Sequence, residues 1–301
     1  MREVGSESLL LCRHAGMRRW CTVAVPTVAV SVACGSDAPS PPPPPTPHLA
    51  TTRDYLPGLA ADVYLPTGAT SAVVVVLVPG GAWQTADRTG LTPLAEYLAG
   101  AGVVAVNTTH RAVADDGRFP GPVQEVTCSV DFAVQQAQDA GLAVRSVVVL
   151  GHSSGAHLAA LAALGGDHFR GPCPYPPATI DAFVGLAGSY DVDSLPELAE
   201  PFFGASRQDD PATWIEGNPT TWAGKTTQRA RLRALLLHGA ADTDLPTTFT
   251  TEFAAAMKAG GHDVTVQVVP GATHHTLYSP EVSGARLVSW LKGLPRPSST
   301  T

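Results

Sequence analysis

Short runs of apolar residues alternate with longer segments of helical periodicity over most of the chain. Residues 72–78 are mostly valine, which is typical of a strand that is covered on both faces of a sheet. Similar runs predict strands at residues 103–106, 144–150, 180–186, 234–237 and 264–269. Helical spacing predicts helices at residues 91–99, 122–140, 154–164, 247–259 and 280–291. The alternation predicts an α/β fold with a mostly parallel sheet and helices on both faces.

The segment from residue 191 to residue 229 breaks this alternation. It contains several prolines and four large aromatic residues, namely Phe202, Phe203, Trp214 and Trp222. We expect this segment to form a small cap over the functional site.

A G-x-S-x-G pentapeptide at residues 151–155 lies between a predicted strand and a predicted helix. A strand-to-helix turn of this sharpness exposes the hydroxyl of its central residue, Ser153. The two flanking glycines let the neighbouring backbone pass close to the turn. A plain glycine connection with Ser154 as a helix N-cap is the alternative, but the strand–turn–helix context favours Ser153 as a nucleophile.

A serine nucleophile needs N–H donors at the position where negative charge develops on a carbonyl oxygen. Ser154, the residue after the nucleophile, is expected to supply one backbone N–H. Residues 79–83, Pro-Gly-Gly-Ala-Trp, follow the valine-rich strand and are expected to supply the others. Pro79 has no N–H and cannot be a donor, and we favour Gly81 and Ala82 for this role.

Ser153 also needs a histidine to take its proton and a carboxylate to orient that histidine. The segments that follow the predicted strands 234–237 and 264–269 carry both residue types. Parallel sheets bind their ligands at the ends of such strands. The carboxylate is Asp242, with Asp244 as its neighbouring rival, and the base is His274, with His275 as the rival.

Other candidate residues fall near the same strand ends and are interpreted as structural. His152 and His238 lie within tight motifs and are expected to fix the geometry of their loops. His110 and Asp191 also follow predicted strands and are expected to play structural roles.

Residues 151–161, Gly-His-Ser-Ser-Gly-Ala-His-Leu-Ala-Ala-Leu, resemble the esterase branch of the α/β-hydrolase superfamily. The branch includes proteins like hormone-sensitive lipase, kynurenine formamidase and feruloyl esterases. Its oxyanion loop reads His-Gly-Gly-x-Trp, whereas this chain has Pro79 in place of the histidine. The backbone donors are retained, but an anchor for the loop is lost.

The resemblance also chooses between the rival catalytic residues. The branch has a His-Gly-x-x-Asp-x-x-Val-Pro motif around its acid, which this chain matches at residues 238–246 with Leu245 in place of valine. That alignment selects Asp242 over Asp244. A Gly-Ala-x-His pattern before the last helix selects His274 over His275.

The resemblance implies a serine hydrolase that cleaves small carboxylic esters through an acyl-enzyme and needs no metal or organic cofactor. An amidase, such as an arylformamidase, would use the same residues. A non-catalytic surface protein that binds ligands on the same fold is the alternative outside enzymology. The presence of the serine, the acid, the histidine and the glycine loop together argues against the non-catalytic alternative.

The chain of 301 residues has 19 Lys and Arg against 26 Asp and Glu, a net charge of −7. With no extended basic run, nucleic acid is not expected as a partner. We predict one catalytic domain over residues 54–294, followed by a flexible tail over residues 295–301.

The first residues predict export. Arg18 and Arg19 precede an apolar run over residues 21–33, as in a secretory leader, and Met17 is the expected start. Residues 31–34 resemble a bacterial lipobox, which predicts a leader over residues 1–34 and lipid on Cys34. A plain signal peptide or a hydrophobic anchor is the alternative. Residues 35–53, rich in proline, are expected to form a linker to a cell-surface or secreted domain, with the lipid as its one membrane contact.

Cysteine usage fits an oxidising compartment. Three of the five cysteines lie within residues 1–34, which leaves Cys128 and Cys173 in the domain. Two cysteines in an exported protein predict a disulfide, with two buried thiols as the alternative.

Overall fold

The computed structural model describes residues 49–224 and 231–295. The predicted leader with Cys34, the linker up to residue 48 and the tail from residue 296 lie outside the described residues. The described residues form one sheet flanked by helices. Within the described ranges, no helix is long and apolar enough to cross a membrane.

The sheet has eight strands in the order β1-β2-β4-β3-β5-β6-β7-β8. The neighbours from β4 to β8 pair in parallel, whereas β2 pairs antiparallel with both β1 and β4. The mostly parallel sheet is therefore confirmed. The strands are β1 Leu49–Leu56, β2 Leu59–Tyr64, β3 Ser71–Val78, β4 Val104–Thr108, β5 Ala143–His152, β6 Ala182–Leu186, β7 Arg233–Gly239 and β8 Asp263–Val269.

The hairpin of β1 and β2 was not predicted. β1 is an edge strand, and most of the side chains described in it are exposed, so its sequence lacks a continuous apolar run. A turn at Pro57 and Gly58 joins the two strands, with Gly58 at a φ of 75°. Because β1 begins at Leu49, residues 49–53 belong to the sheet and not to the predicted linker.

Helices cover both faces of the sheet. They are α1 Thr92–Gly100, α2 Gly121–Asp139, α3 Ser154–Gly165, α4 Pro196–Phe203, α5 Pro211–Glu216, α6 Pro219–Ala223, α7 Thr248–Ala259 and α8 Ala285–Lys292. Residues of α2, α3, α6 and α7 share one buried apolar cluster, whereas those of α1 and α8 share the other. Side chains of β3 alternate between the two clusters, as expected for a central strand.

The large aromatic residues of the segment predicted as a cap belong to the core. All four side chains are buried in the same cluster as α2 and α3. Burying side chains of this size stabilises the fold more than leaving them over an open site would. Near the start of the segment, Leu195 and Leu198 line the cavity of the candidate active site.

The predicted disulfide is present. Cys128 in α2 and Cys173, in the loop after α3, have their sulfur atoms 2.10 Å apart and their Cα atoms 5.5 Å apart. The buried carboxylate of Asp131 holds the same loop, since it accepts hydrogen bonds from the Arg170 guanidinium and from the backbone N–H of Ala178 at 2.7 Å.

Candidate active site

Ser153 occupies the sharp turn between β5 and α3. Its backbone has φ 54° and ψ −124°, a conformation that L-residues rarely adopt and that costs about 1–3 kcal/mol. The flanking glycines are required by space, because a Cβ at Gly151 would overlap the Gly155 carbonyl oxygen. A Cβ at Gly155 would overlap the carbonyl oxygen of Pro79. The turn at residues 151–155, called the elbow below, and the glycine loop at residues 79–83 therefore pack backbone against backbone.

Asp242, in the loop after β7, contacts His274, in the loop after β8. The Nδ1 atom of His274 donates to Oδ2 of Asp242 at 2.8 Å. The other oxygen, Oδ1, accepts backbone N–H groups from Asp244 and Leu245, each at 2.9 Å. The Asp242 side chain is fully buried and the imidazole of His274 nearly so.

These contacts keep Asp242 ionised. Burial by itself would raise the pKa of its carboxyl group, but the hydrogen bonds from Leu245 and His274 outweigh burial and lower the pKa below its usual value. A buried carboxylate of this kind holds an imidazole in one orientation and stabilises its protonated form.

The rival residues pair with each other at the exposed edge of the same site. His275 Nε2 lies 3.3 Å from Asp244 Oδ2 at the protein surface, where their side chains are 74% and 48% exposed. Of the two candidate pairs, the structure brings only Asp242 and His274 together in a buried contact.

The histidines that were interpreted as structural support the loops around this pair. His238 Nε2 donates to the Leu245 carbonyl oxygen at 3.0 Å, and its Nδ1 accepts the hydroxyl of Thr250 at 2.8 Å. His152 Nε2 donates to the carbonyl oxygen of His274 at 3.0 Å. Both loops that carry the acid and the histidine are thus fixed by buried imidazoles.

His110 and Asp191 lie in structural positions as well. The buried His110 ring contacts the carbonyl oxygens of Arg111 at 3.1 Å and Pro79 at 3.5 Å, behind the glycine loop. Asp191 accepts the hydroxyl of Ser194 at 2.5 Å on the surface.

The glycine loop has three consecutive residues at positive φ. The angles are 143° for Gly81, 52° for Ala82 and 61° for Trp83. A Cβ at position 81 would overlap the Thr85 carbonyl oxygen, so only glycine fits there. Within the described part of the chain, the backbone N–H groups of Gly81, Ala82 and Ser154 have no acceptor. These amides are free to bind an anionic oxygen.

One cavity of about 440 Å³ joins these groups. Ser153, His274, Gly81 and Ala82 all line it. The wall is partly apolar and partly polar. The other residues with large or polar side chains that line it are Trp83, Leu91, Leu195, Leu198, Leu245, His152, Ser189, Asp87, Asp244, His275 and Tyr278. Among the described residues, no group of three His, Cys, Asp or Glu side chains is placed to hold a metal ion.

The BD-FAE family model matches residues 61–257, more than half of the chain, and spans both the glycine loop and Asp242. The chain belongs to the BD-FAE family. This α/β-hydrolase esterase family agrees with the branch that the motifs indicated.

Curated relatives of this BD-FAE member include two proteins of Mycobacterium tuberculosis. Esterase LipC is 29% identical over 67% of this chain and 53% of its own length. Esterase LipQ is 26% identical over 67% of this chain and 50% of its own length. The chain thus spans about half the length of the curated relatives it matches.

Solved structures show the same fold. The propionate-bound esterase Est2 of Thermogutta terrifontis superposes with a TM-score of 0.66 at 20% identity, covering 83% of this chain and 97% of that one. The α/β-hydrolase fold is therefore confirmed for this BD-FAE member.

The buried histidines of this BD-FAE member predict a dependence of stability on pH. Burial lowers the pKa of His152 to about 3 and that of His157 to about 4, and it also lowers the pKa values of His110 and His238. Below a pH of about 6.5, the unfolded chain binds protons that the folded protein does not. The free energy of unfolding should therefore fall between about pH 7 and pH 4, by up to about 1.4 kcal/mol per pH unit for each histidine.

Urea unfolding at pH 7, 6, 5 and 4 measures this dependence. A His157→Asn variant removes one of the four groups and should show a shallower loss of stability with falling pH. Equal slopes for the two proteins, or an unfolding free energy that rises toward pH 4, would contradict the assignment.

Proposed function

We propose that this protein hydrolyses carboxylic esters through an acyl-enzyme, with Ser153 as nucleophile, His274 as base and Asp242 as the orienting acid. The observation that carries the proposal is the buried contact of 2.8 Å between Asp242 and His274 in a cavity that Ser153 also lines. The strained elbow supports it, because such strain is concentrated at functional sites.

In the first half of the reaction, Ser153 Oγ attacks the ester carbonyl carbon while its proton passes to His274 Nε2. The carbonyl oxygen becomes negative and accepts N–H groups of Gly81, Ala82 and Ser154. When the tetrahedral intermediate collapses, the C–O bond to the alcohol breaks. The alcohol leaves with the proton from His274, and the acyl group remains on Ser153.

In the second half, His274 takes a proton from water as the water oxygen attacks the acyl-enzyme. A second tetrahedral intermediate forms in the same oxyanion site. Its collapse releases the carboxylic acid and returns the proton to Ser153. Water is the one co-reactant, so the cycle balances without a cofactor.

The substrate that we propose is a small, neutral ester. Apolar contacts from Leu91, Leu195 and Leu198 would hold its hydrocarbon part inside the cavity. The structures of Est2 with propionate and with butyrate support short acyl chains as the first ones to test. p-Nitrophenyl esters of acetate, propionate and butyrate are suitable substrates, with the matching p-nitroanilides as a comparison for amide cleavage.

A fluorophosphonate probe tests the proposal directly, because it reacts with an activated serine. Mass mapping should place one phosphonate on Ser153, and labelling should remove esterase activity in proportion. Labelling of another serine, or full labelling with activity retained, would refute the assignment of Ser153. Cleavage of the anilides at rates similar to those of the esters would refute ester specificity.

We also propose that the protein is exported as a lipoprotein modified at Cys34. The disulfide between Cys128 and Cys173 supports an oxidising destination, because such bonds are rare in reducing cytoplasm. Mass spectrometry of the protein from its native host should find a mature N-terminus at Cys34 that carries lipid. A different N-terminus, or an unmodified Cys34, would refute the proposal without affecting esterase activity.

A further inference from the structure

The glycine loop at residues 79–83 carries the proposed oxyanion donors Gly81 and Ala82 and is called the oxyanion loop here. Its sequence does not show which contacts hold it in place. Pro79, at the start of this loop, has neither a backbone N–H nor a polar side chain that could anchor it. The next residues nevertheless hold a strained course, with Ala82 and Trp83 both at positive φ without being glycine. Conformations of this kind persist only where the surrounding contacts outweigh their cost.

Trp83 is a buried side chain of this loop that ties it to the helix carrying the nucleophile. Its indole is 1% exposed, and its Nε1–H donates to Nδ1 of His157 at 3.1 Å. The two rings meet edge to face, with centroids 5.2 Å apart. Phe202 stacks on the indole with ring centroids 5.9 Å apart, and its ring also meets the His157 ring edge to face at 5.9 Å.

His157 lies on α3, one turn after the nucleophile, and its backbone N–H donates to the Ser153 carbonyl oxygen at 3.3 Å. The imidazole is completely buried, and its Nε2–H donates to the carbonyl oxygen of Gly217 at 2.8 Å. Since Gly217 can only accept at that oxygen, the proton is on Nε2. Nδ1 is therefore a free acceptor for Trp83.

The charge state of His157 suits this role. Burial lowers the pKa of the imidazole to about 4, so the ring is neutral under ordinary conditions. A protonated ring would carry a hydrogen on Nδ1 and would lose the acceptor that binds the indole.

We propose that His157 is a positioning residue for the oxyanion site, because its contact with Trp83 fixes the loop carrying Gly81 and Ala82 against the helix that begins at Ser154. Helix α3 then fixes the relative positions of three groups: the nucleophile, the oxyanion donor at Ser154, and the loop that supplies the other donors. This inference rests on the proposed ester hydrolysis. It assigns the anchoring of this loop to His157 and Trp83.

The kinetic consequence is specific. The donors bind the oxygen more strongly after it becomes negative, so misplacing them raises the barrier and leaves binding of the neutral ester nearly unchanged. Loss of one oxyanion donor costs about 10²–10³ in kcat, and displacement of the loop should cost part of that. We expect His157→Leu to lower kcat about 10- to 100-fold while KM changes less than about threefold.

Three further variants separate positioning from general damage to the core. Trp83→Phe removes the indole N–H that donates to His157, and it should lower kcat by a factor similar to that of His157→Leu. In the double variant the two losses of kcat should not multiply, because both substitutions break the same hydrogen bond between Trp83 and His157. His157→Asn keeps an acceptor near the Nδ1 position and should restore most of kcat.

Trp214→Phe is the matched control. Trp214 is equally buried, and its indole N–H donates to the Ala205 carbonyl oxygen at 2.9 Å, away from the oxyanion loop. This variant should lose stability comparable to that lost by Trp83→Phe but keep kcat within about threefold, because it removes no contact of the loop.

The experiment measures kcat per active site in the full domain, with sites counted by complete fluorophosphonate labelling. It also measures the inhibition constant of a trifluoromethyl ketone, whose adduct with serine places an anionic oxygen among the donors. We expect the inhibition constant to rise in each variant by the same factor by which kcat/KM falls.

Three results would overturn the proposal: an unchanged kcat per site in His157→Leu, multiplicative losses in the double variant, or an equal loss of kcat in Trp214→Phe. If His157→Leu does not fold, Trp83→Phe and His157→Asn decide the question by the same criteria. An inactive wild-type protein would instead refute the esterase proposal, so the two failures are distinguishable.

Discussion

Replacement of Ser153 by alanine should lower kcat for ester hydrolysis by about 10⁶-fold, because the acyl-enzyme cannot form without the hydroxyl. The elbow should remain folded. Alanine adopts the same backbone angles at a cost similar to that for serine, and Ser153 Oγ caps no backbone N–H of the following helix. The residual rate should equal that of hydrolysis assisted by the oxyanion site alone.

Initial rates with p-nitrophenyl acetate, read against a heat-unfolded sample of the same variant, measure this loss. Thermal unfolding shows whether the variant has kept its fold. A folded Ser153→Ala protein with activity within about 100-fold of wild type would refute the nucleophile, since loss of a triad serine costs far more than that.

Replacement of His274 by alanine and of Asp242 by asparagine should each lower kcat by about 10⁴-fold or more. In the Asp242→Asn variant, the new amide side chain would keep one oxygen for the N–H groups of Asp244 and Leu245, which leaves its NH₂ group facing His274 Nδ1. Nδ1 would then have to accept and Nε2 would carry the proton. An imidazole in that tautomer cannot take the proton of Ser153.

The neighbouring residues give matched controls. His275→Ala and Asp244→Asn remove a solvent-exposed pair that is worth little energetically, and each should change kcat less than about tenfold. Parallel kinetics on the four variants decide the assignment. If His275→Ala were inactive and His274→Ala active, the alignment of the last loop would be off by one residue.

The parts of the fold that sequence reasoning predicted are those with a strong local signal. The valine run of β3 and the alanine- and leucine-rich helix α3 are buried on all sides, so their apolar patterns are unambiguous. The elbow could be predicted because glycine is required by backbone contacts that follow directly from a sharp turn. The choice of Asp242 over Asp244 depended on alignment, because two acids two residues apart are equivalent by spacing.

The remaining features depend on contacts between distant residues. β1 carries polar residues on an edge, and its one clear signal was the Pro57–Gly58 turn. The aromatic residues of the segment predicted as a cap fit either a lid or a core, and only their neighbours in the fold decide between the two. The contact between Trp83 and His157 joins residues 74 positions apart, so no local pattern could reveal it.

The disulfide has a consequence for how the protein should be produced. It joins residues 45 positions apart and makes a covalent ring that contains β5, the elbow and α3. By the loss of chain entropy, such a ring raises the free energy of the unfolded chain by about 4 kcal/mol. Asp242 and His274 lie outside the ring, so the restriction acts on the nucleophile's half of the site. Protein expressed in a reducing cytoplasm would lack the ring, and an oxidising host is the appropriate source for kinetic work.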